Sequence, residues 1–228
     1  MKTLLEVQFE GWTATPRMPF ILSGNAICMA TPTYSLLLGM IGCCLGRPVD
    51  PEEVRLGFRY TFDDTAEDVE TRQRLINDNG RIIPHGKGTD AHRREFHVNP
   101  RLIVWIDRLD WEEYFRYPIG APTLGRSQDL LKIKQVQKVE VEAIAEAKIS
   151  GCLLPFGGQL NSAGQLVQLA EAYRENIVGS GRTSTVSRIF LAIPWQDQRE
   201  EELAHPVAFP HLFRTPSQQV FYLHDWQL

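Results

Sequence analysis

Apolar and polar residues alternate strictly at two places in the first third of the chain. Leu5, Val7 and Phe9 alternate with Glu6, Gln8 and Glu10; further on, Val54, Leu56, Phe58, Tyr60 and Phe62 alternate with Glu53, Arg55, Gly57, Arg59 and Thr61. A period of two puts each set on one face of a pleated strand, so both stretches predict a strand with one buried and one wet side. Between them lies NAICMATPTYSLLLGMIGCCLG, residues 25–46, the most apolar run of the chain. A membrane-spanning helix needs about 20 consecutive apolar residues, and Thr31, Pro32, Thr33, Tyr34 and Ser35 interrupt this run. Its grammar is that of a buried helix over 32–45. Thr31 stands as N-cap, Pro32 occupies the first turn where no backbone donor is needed, and Gly46 before Arg47-Pro48 is the stop. Leu36, Leu37, Met40, Ile41, Cys44 and Leu45 form the apolar face, while Gly39 and Gly42 remove bulk so that a neighbour can approach.

Downstream the period dissolves. Residues 63–100 are polar and turn-rich, long for a connection inside a compact domain and therefore functional or mobile. Strand character resumes at Leu102, Val104 and Ile106; 110–116 predicts a short helix, and the β-branched stretch 132–141 a fourth strand. Strand, helix, strand, long excursion, strand, short helix, strand is a ferredoxin-like order with an enlarged hairpin between its second and third strands. After residue 149, GCLLPFGG, a helix over 166–173, RIFLAIPW and QQVFYLHDW predict a smaller, mostly β second part. The expected class is α+β: a ferredoxin-like (RRM-type) domain over 1–145, with an excursion at 63–100, and a β-rich part over 146–228.

Composition removes several function classes. The net charge of −4 excludes a uniformly basic nucleic-acid coat, so an anionic partner must meet a local patch. Four cysteines, at 28, 43, 44 and 152, show neither CxxC spacing nor a disulfide framework. Adjacent Cys43 and Cys44 point apart, as small buried hydrophobes do. Glu6 and Glu10 come too early for a signal peptide. A cytoplasmic protein without a membrane partner is expected.

Two stretches carry candidate chemistry. Within 81–101, Arg81, Lys87, Arg93, Arg94 and Arg101, with His85, His92 and His97, face only Asp90 and Glu95. Glycines at 80, 86 and 88 free this backbone to follow a ligand, and its cations suit phosphate; the ordinary reading is a solvated loop. The histidines lack zinc spacing, and neither a metal nor a cofactor is expected. In TLGRSQDLLKI, Gly125 permits an unusual backbone angle and presents Arg126 and Ser127, a charged fork and a hydroxyl able to hold phosphate. Arg182, with Gly181, Thr183 and Ser184, forms a similar loop. Neither stretch has Walker or dinucleotide spacing, and the strands lack the RNP signature of sequence-reading RRM domains.

FEGWTATPRMPFILSG, then TPTYSLLLGMIGCCLG, HRREF leading into LIVWID, and LGRSQDLLKI together resemble the CRISPR-associated Cas-five family of the RAMP superfamily, over residues 1 to about 140. The helix after a proline and LGRSQDL are most similar to type I-B members. The resemblance implies a long hairpin, the thumb, at 63–100, and a role capping the 5′ handle of crRNA in type I Cascade. The partners it implies are crRNA, the backbone and large subunits and, through the complex, target DNA. It adds Arg17 and Ser23 to the expected RNA-binding set of Arg81, His85, Lys87, His92, Arg93, Arg94, Arg126, Ser127 and Arg182. One branch of the family, in type I-C systems, is itself the repeat-cutting ribonuclease, using a Tyr, Lys and His group. Lys87 with His85 or His92, and Tyr34 or Tyr60, would supply such a group here, but no local motif matches it. A non-catalytic scaffold is expected, with a metal-independent endoribonuclease as the alternative and an unrelated enzyme on the same scaffold as the second.

Overall fold

The computed structural model describes residues 1–19, 25–157, 164–175, 181–195 and 206–226. In chain order the elements are β1 (Lys2–Gly11), β2 (Thr13–Ala14), β3 (Asn25–Ala26), α1 (Tyr34–Leu45), β4 (Leu56–Thr61), β5 (Asp64–Asp78), β6 (Arg81–Val98), β7 (Arg101–Ile106), α2 (Glu112–Arg116) and β8 (Leu131–Ala147). There follow β9 (Cys152–Pro155), β10 (Gln165–Ala170), β11 (Tyr173–Glu175), β12 (Arg182–Ser184), β13 (Ser187–Ile193), β14 (Val207–Arg214) and β15 (Val220–His224). The architecture is sheet-rich α+β.

The main sheet runs β8-β1-β7-β4 with every neighbouring pair antiparallel, and the C-terminal strands close it into a barrel, β15 on β4 and β14 on β8. The sheet is thus continuous across residue 146. Closure also changes the expected wet side of β1. Glu6 is only 3 % exposed; its carboxylate accepts bonds from Trp105 Nε1 (2.8 Å), Gln8 and Gln137, which satisfy a charge that burial would otherwise penalise. Trp105 stacks on Phe221 of β15 at 4.1 Å beside Leu4 and Val141, while Leu5, Val7 and Phe9 face the α1 side. Both faces are buried because the strands that cover the second one lie more than 200 residues downstream.

Helix α1 starts two residues later than expected. Thr33, not Thr31, is the N-cap and accepts the Leu36 N–H at 3.1 Å; Thr31 is fully buried instead. Gly46 ends the helix in the left-handed region (φ 70°), as its position predicts. Gly42 does permit a close approach, by the Arg47 carbonyl, 2.7 Å from where a Cβ would stand, but Gly39 faces open space rather than a packed neighbour. Cys44 is buried and Cys43 partly so. The helix expected over 166–173 is replaced by β10 and β11. Val167 and Leu169 turn inward, and β10 pairs with β13 from Gln165 to Ala170, so the alternation that this partner rewards overrides the helical spacing of Leu166, Leu169 and Tyr173.

The polar stretch after Phe62 is a two-stranded ribbon. β5 and β6 pair from Asp64–Val98 to Asp78–Arg81 around an Asn79-Gly80 turn with φ of 50° and 87°. Between the pairs Gln73–Thr89 and Leu75–Pro84, one residue on β5 opposes four on β6, so His85, Gly86, Lys87 and Gly88 loop out. Short β2 and β3 join the root of the ribbon beside the barrel.

Candidate nucleic-acid interface

A cleft of about 280 Å³ opens where the ribbon root meets the body. Arg17 comes from the segment after β2, Arg94 from β6 and Arg126 from the loop after Leu124, and all three line it with Thr15, Thr33 and Glu95. Parallel pairing of Asn25–Ala26 with Arg93–Arg94 and a bridge between Arg17 and Cys28 fix this wall.

The loop is placed by Gly125 and Asp129. Gly125 has φ 117°, and a Cβ there would stand 2.3 Å from Thr15 Oγ1 and 2.4 Å from its carbonyl oxygen. The expected unusual angle is present, and its cause is that the loop lies directly on the β2 segment. Asp129 is fully buried. It accepts Thr13 Oγ1 (2.7 Å), the Thr15 hydroxyl, the Arg126 N–H (2.9 Å) and two guanidinium nitrogens of Arg126, each at 3.2 Å. Burial alone would raise its pKa, but these bonds hold the carboxyl below the usual carboxylate range. Arg126 reaches outward to Asp68 on β5 at 3.0 Å and lies over the Phe96 ring. Burial works against its charge, and the two carboxylates more than restore it, raising its pKa. Arg94, 8 % exposed, pairs with Glu70 of β5.

Space redraws the basic patch. Read along the chain, 81–101 is cationic; in the ribbon, β5 brings five carboxylates and two arginines opposite the four cations and two carboxylates of β6. The ribbon as a whole is close to neutral, and Arg94 and Arg126 are held by its acids. Asp68 is 42 % exposed at its side chain and Asp129 not at all. An incoming phosphate can therefore replace the outer partner of Arg126 while the inner one keeps the fork aimed.

The other expected residues are dispersed. Arg93 is exposed, and Arg81 and Lys87 are exposed on the distal ribbon, without an ion pair among the described residues. His85 Nδ1 accepts the Lys87 N–H at 3.0 Å, and His92 lies 4.0 Å from Asp90. Ser127 is exposed beside Arg126. Arg182 lines a separate groove along α1 with Gly39, Gly42 and Tyr173. Ser23 lies outside the described residues. Among the described residues no group of three or more metal-ligating side chains comes together, and no helix is long and apolar enough to cross a membrane. Asp68 and Glu70 were missed as site-shaping residues, whereas pairing of Arg126 with Asp129, three residues on, is the ordinary reading of LGRSQDL and is present.

No family model matches the chain, and no curated protein matches it. Solved structures do. A chain of a "CRISPR RNA-guided surveillance complex" superposes with TM-score 0.51 at 13% identity, covering 88% of this chain and 98% of that one. A chain of a "Type III-B Cmr-beta bound to cognate target RNA" superposes with TM-score 0.52 at 9% identity, covering 98% and 99%. The chain shares the fold of these CRISPR effector-complex chains over nearly its whole length.

Proposed function

We propose that this chain is an RNA-binding subunit of a type I CRISPR Cascade effector that caps the 5′ handle of crRNA and meets the backbone and large subunits, and through them target DNA. One observation carries the reading: Arg17, Arg94 and Arg126, distant in sequence, line one cleft in a fold shared with chains of CRISPR effector complexes. Strand order β8-β1-β7-β4 supports the ferredoxin-like assignment, and the β5–β6 ribbon is then its thumb. A surveillance-complex chain and a type III-B chain superpose equally well, so the fold selects no subtype, and the type I-B assignment rests on the TPTYSLLLGMIGCCLG and LGRSQDL segments alone.

The scaffold reading is favoured over the ribonuclease by the tyrosines. The Tyr34 hydroxyl donates to the Leu153 carbonyl at 2.6 Å and that of Tyr60 bonds His97 Nδ1 at 2.8 Å. Burial pushes both pKa values well above 10, whereas Lys87 sits on the exposed looped-out segment. The test is binding of a labelled single-stranded RNA from the repeat end of the source's CRISPR array. Arg17→Ala, at an exposed position, is expected to weaken binding about tenfold and to lower the salt slope by about 0.7 per lost phosphate contact. Wild-type affinity and slope in this variant would remove the cleft from the interface. Cleavage of that RNA at one position, lost in Lys87→Ala or His85→Ala, would put the ribonuclease first.

A further inference from the structure

Trp12 is 85 % exposed, more than any other aromatic residue among those described. Its backbone is nonetheless held tightly. The Gly11 N–H donates to Pro100 O and the Asn99 N–H to Trp12 O, both at 3.0 Å, and the next residue, Thr13, is tied to buried Asp129. A tryptophan fixed at its backbone and bare at its ring contributes little to the core, although burying one ranks among the largest apolar gains available to a fold. Folding therefore does not account for it.

Its surroundings suit a planar ligand. Trp12 lines a groove of about 600 Å³ with Pro100, Leu131 and Leu130, which is 55 % exposed. The rim is polar and mainly cationic. Lys132 is exposed without an ion pair among the described residues, Arg101 shares Asp63 with Asn99, and Glu10 is held by Lys134. The groove and the arginine cleft share one anchor. Asp129 fixes Arg126 on one side and, through Thr13 and its own neighbour Leu130, the Trp12 wall on the other.

We propose that Trp12 is a stacking platform for an unpaired base of the RNA strand where it leaves the arginine cleft. The inference rests on the RNA-binding reading of that cleft. An indole face takes any base, since every base offers a π-face, and Lys132 and Arg101 stand where the flanking phosphates pass. Two exposed apolar side chains, Trp12 and Leu130, within a polar rim form too small a patch for a stable protein interface, which buries about 800 Å² on each partner.

The experiment compares a single-stranded RNA with an abasic strand of the same length and charge. Trp12→Ala is expected to lose about five- to a hundredfold in affinity for the RNA and nothing for the abasic strand, with an unchanged thermal midpoint; Trp12→Phe is expected to retain most of the affinity. Equal loss on both strands, or no loss on either, overturns the platform. If the wild type binds neither strand, the cleft reading falls and the platform with it. If Arg17→Ala weakens RNA binding while Trp12→Ala does not, the platform alone falls. Loss of association with another subunit at intact RNA affinity assigns the patch to a protein and likewise overturns the proposal.

Discussion

At its root the β5–β6 ribbon buries Arg94 and His97, whereas no residue between 71 and 91 is buried. One ladder of hydrogen bonds thus runs through two environments. The root is specified many times over. Asp68 and Glu70 reach cleft arginines, His97 stacks on Phe62 at 3.7 Å and bonds Tyr60, and the Gly125 loop lies against Thr15. The distal half has its ladder, a tight turn and cross-strand neighbours such as Ile76 and Ile83. A lone two-stranded ribbon is marginal in water, so its order comes from the root. The difference teaches that Arg94 and Arg126 at the root are held by buried or half-buried carboxylates, whereas on the distal half Arg74 is tied to Asp90 and Arg81 and Lys87 stand exposed without an ion pair among the described residues.

The sharpest way to break this comparison uses two glycines in the left-handed half of backbone space. Gly125→Val must place a β-branched side chain at φ 117° and within 2.3 Å of Thr15. Strain and overpacking together are expected to cost about 4 kcal/mol and to destroy the cleft. Gly88→Val, at φ 69° with open space around it, is expected to cost about 1 kcal/mol, the backbone term alone. Chemical denaturation of both variants measures the two values. Equal losses would mean that root and tip are equally constrained.

The second test is pH. Burial pushes His97 down to about 4, against an unfolded value near 6.5. Between those values the unfolded chain binds the proton and the folded one does not, so stability rises with pH there. The contribution is complete above pH 6.5 and lost as pH falls toward 4, about 3 kcal/mol in all. His97→Phe should flatten that slope, and His85→Phe, on the distal ribbon, should leave it unchanged. Unfolding titrations at several pH values between 4 and 7 read both outcomes.

The same contrast sets how much could be read from sequence. The alternation of Leu56, Phe58 and Tyr60 placed β4, and the proline and glycine at the two ends of α1 placed that helix, each within two residues. The ribbon has water on both faces over most of its length, so it has no apolar period to find, and the hairpin expected at 63–100 came from the order of the elements and the family resemblance rather than from its own residues. β1 erred the other way, because polar Glu6 gave no hint of strands that would bury it from the far end of the chain. At the cleft, Gly125 and Arg126 were legible as turn and fork from LGRSQDL. The carboxylates that determine what Arg126 can do were half legible. Asp129 lies three residues away and Asp68 fifty-eight, across a pairing that no local pattern encodes.

The finest test separates neighbours that the chain reads as one motif. Arg93 and Arg94 are adjacent cations in HRREF, but successive residues of a strand point to opposite faces. Arg94 is 9 % exposed at its side chain and committed to Glu70, while Arg93 is exposed with no ion pair among the described residues. Arg94→Ala is expected to cost about 1 to 2 kcal/mol of stability, the loss of a charge-assisted bond. The cost stays moderate because Glu70, 35 % exposed, can recover water. Arg93→Ala is expected to change stability by less than about 0.5 kcal/mol and to lower the salt slope of RNA binding by about 0.7, one single-strand phosphate. Unfolding midpoints and RNA titrations at several salt concentrations measure both. A slope that falls in Arg94→Ala but not in Arg93→Ala would reverse the assignment, because Arg94 would then have left Glu70 for the RNA and Arg93 would not be meeting it.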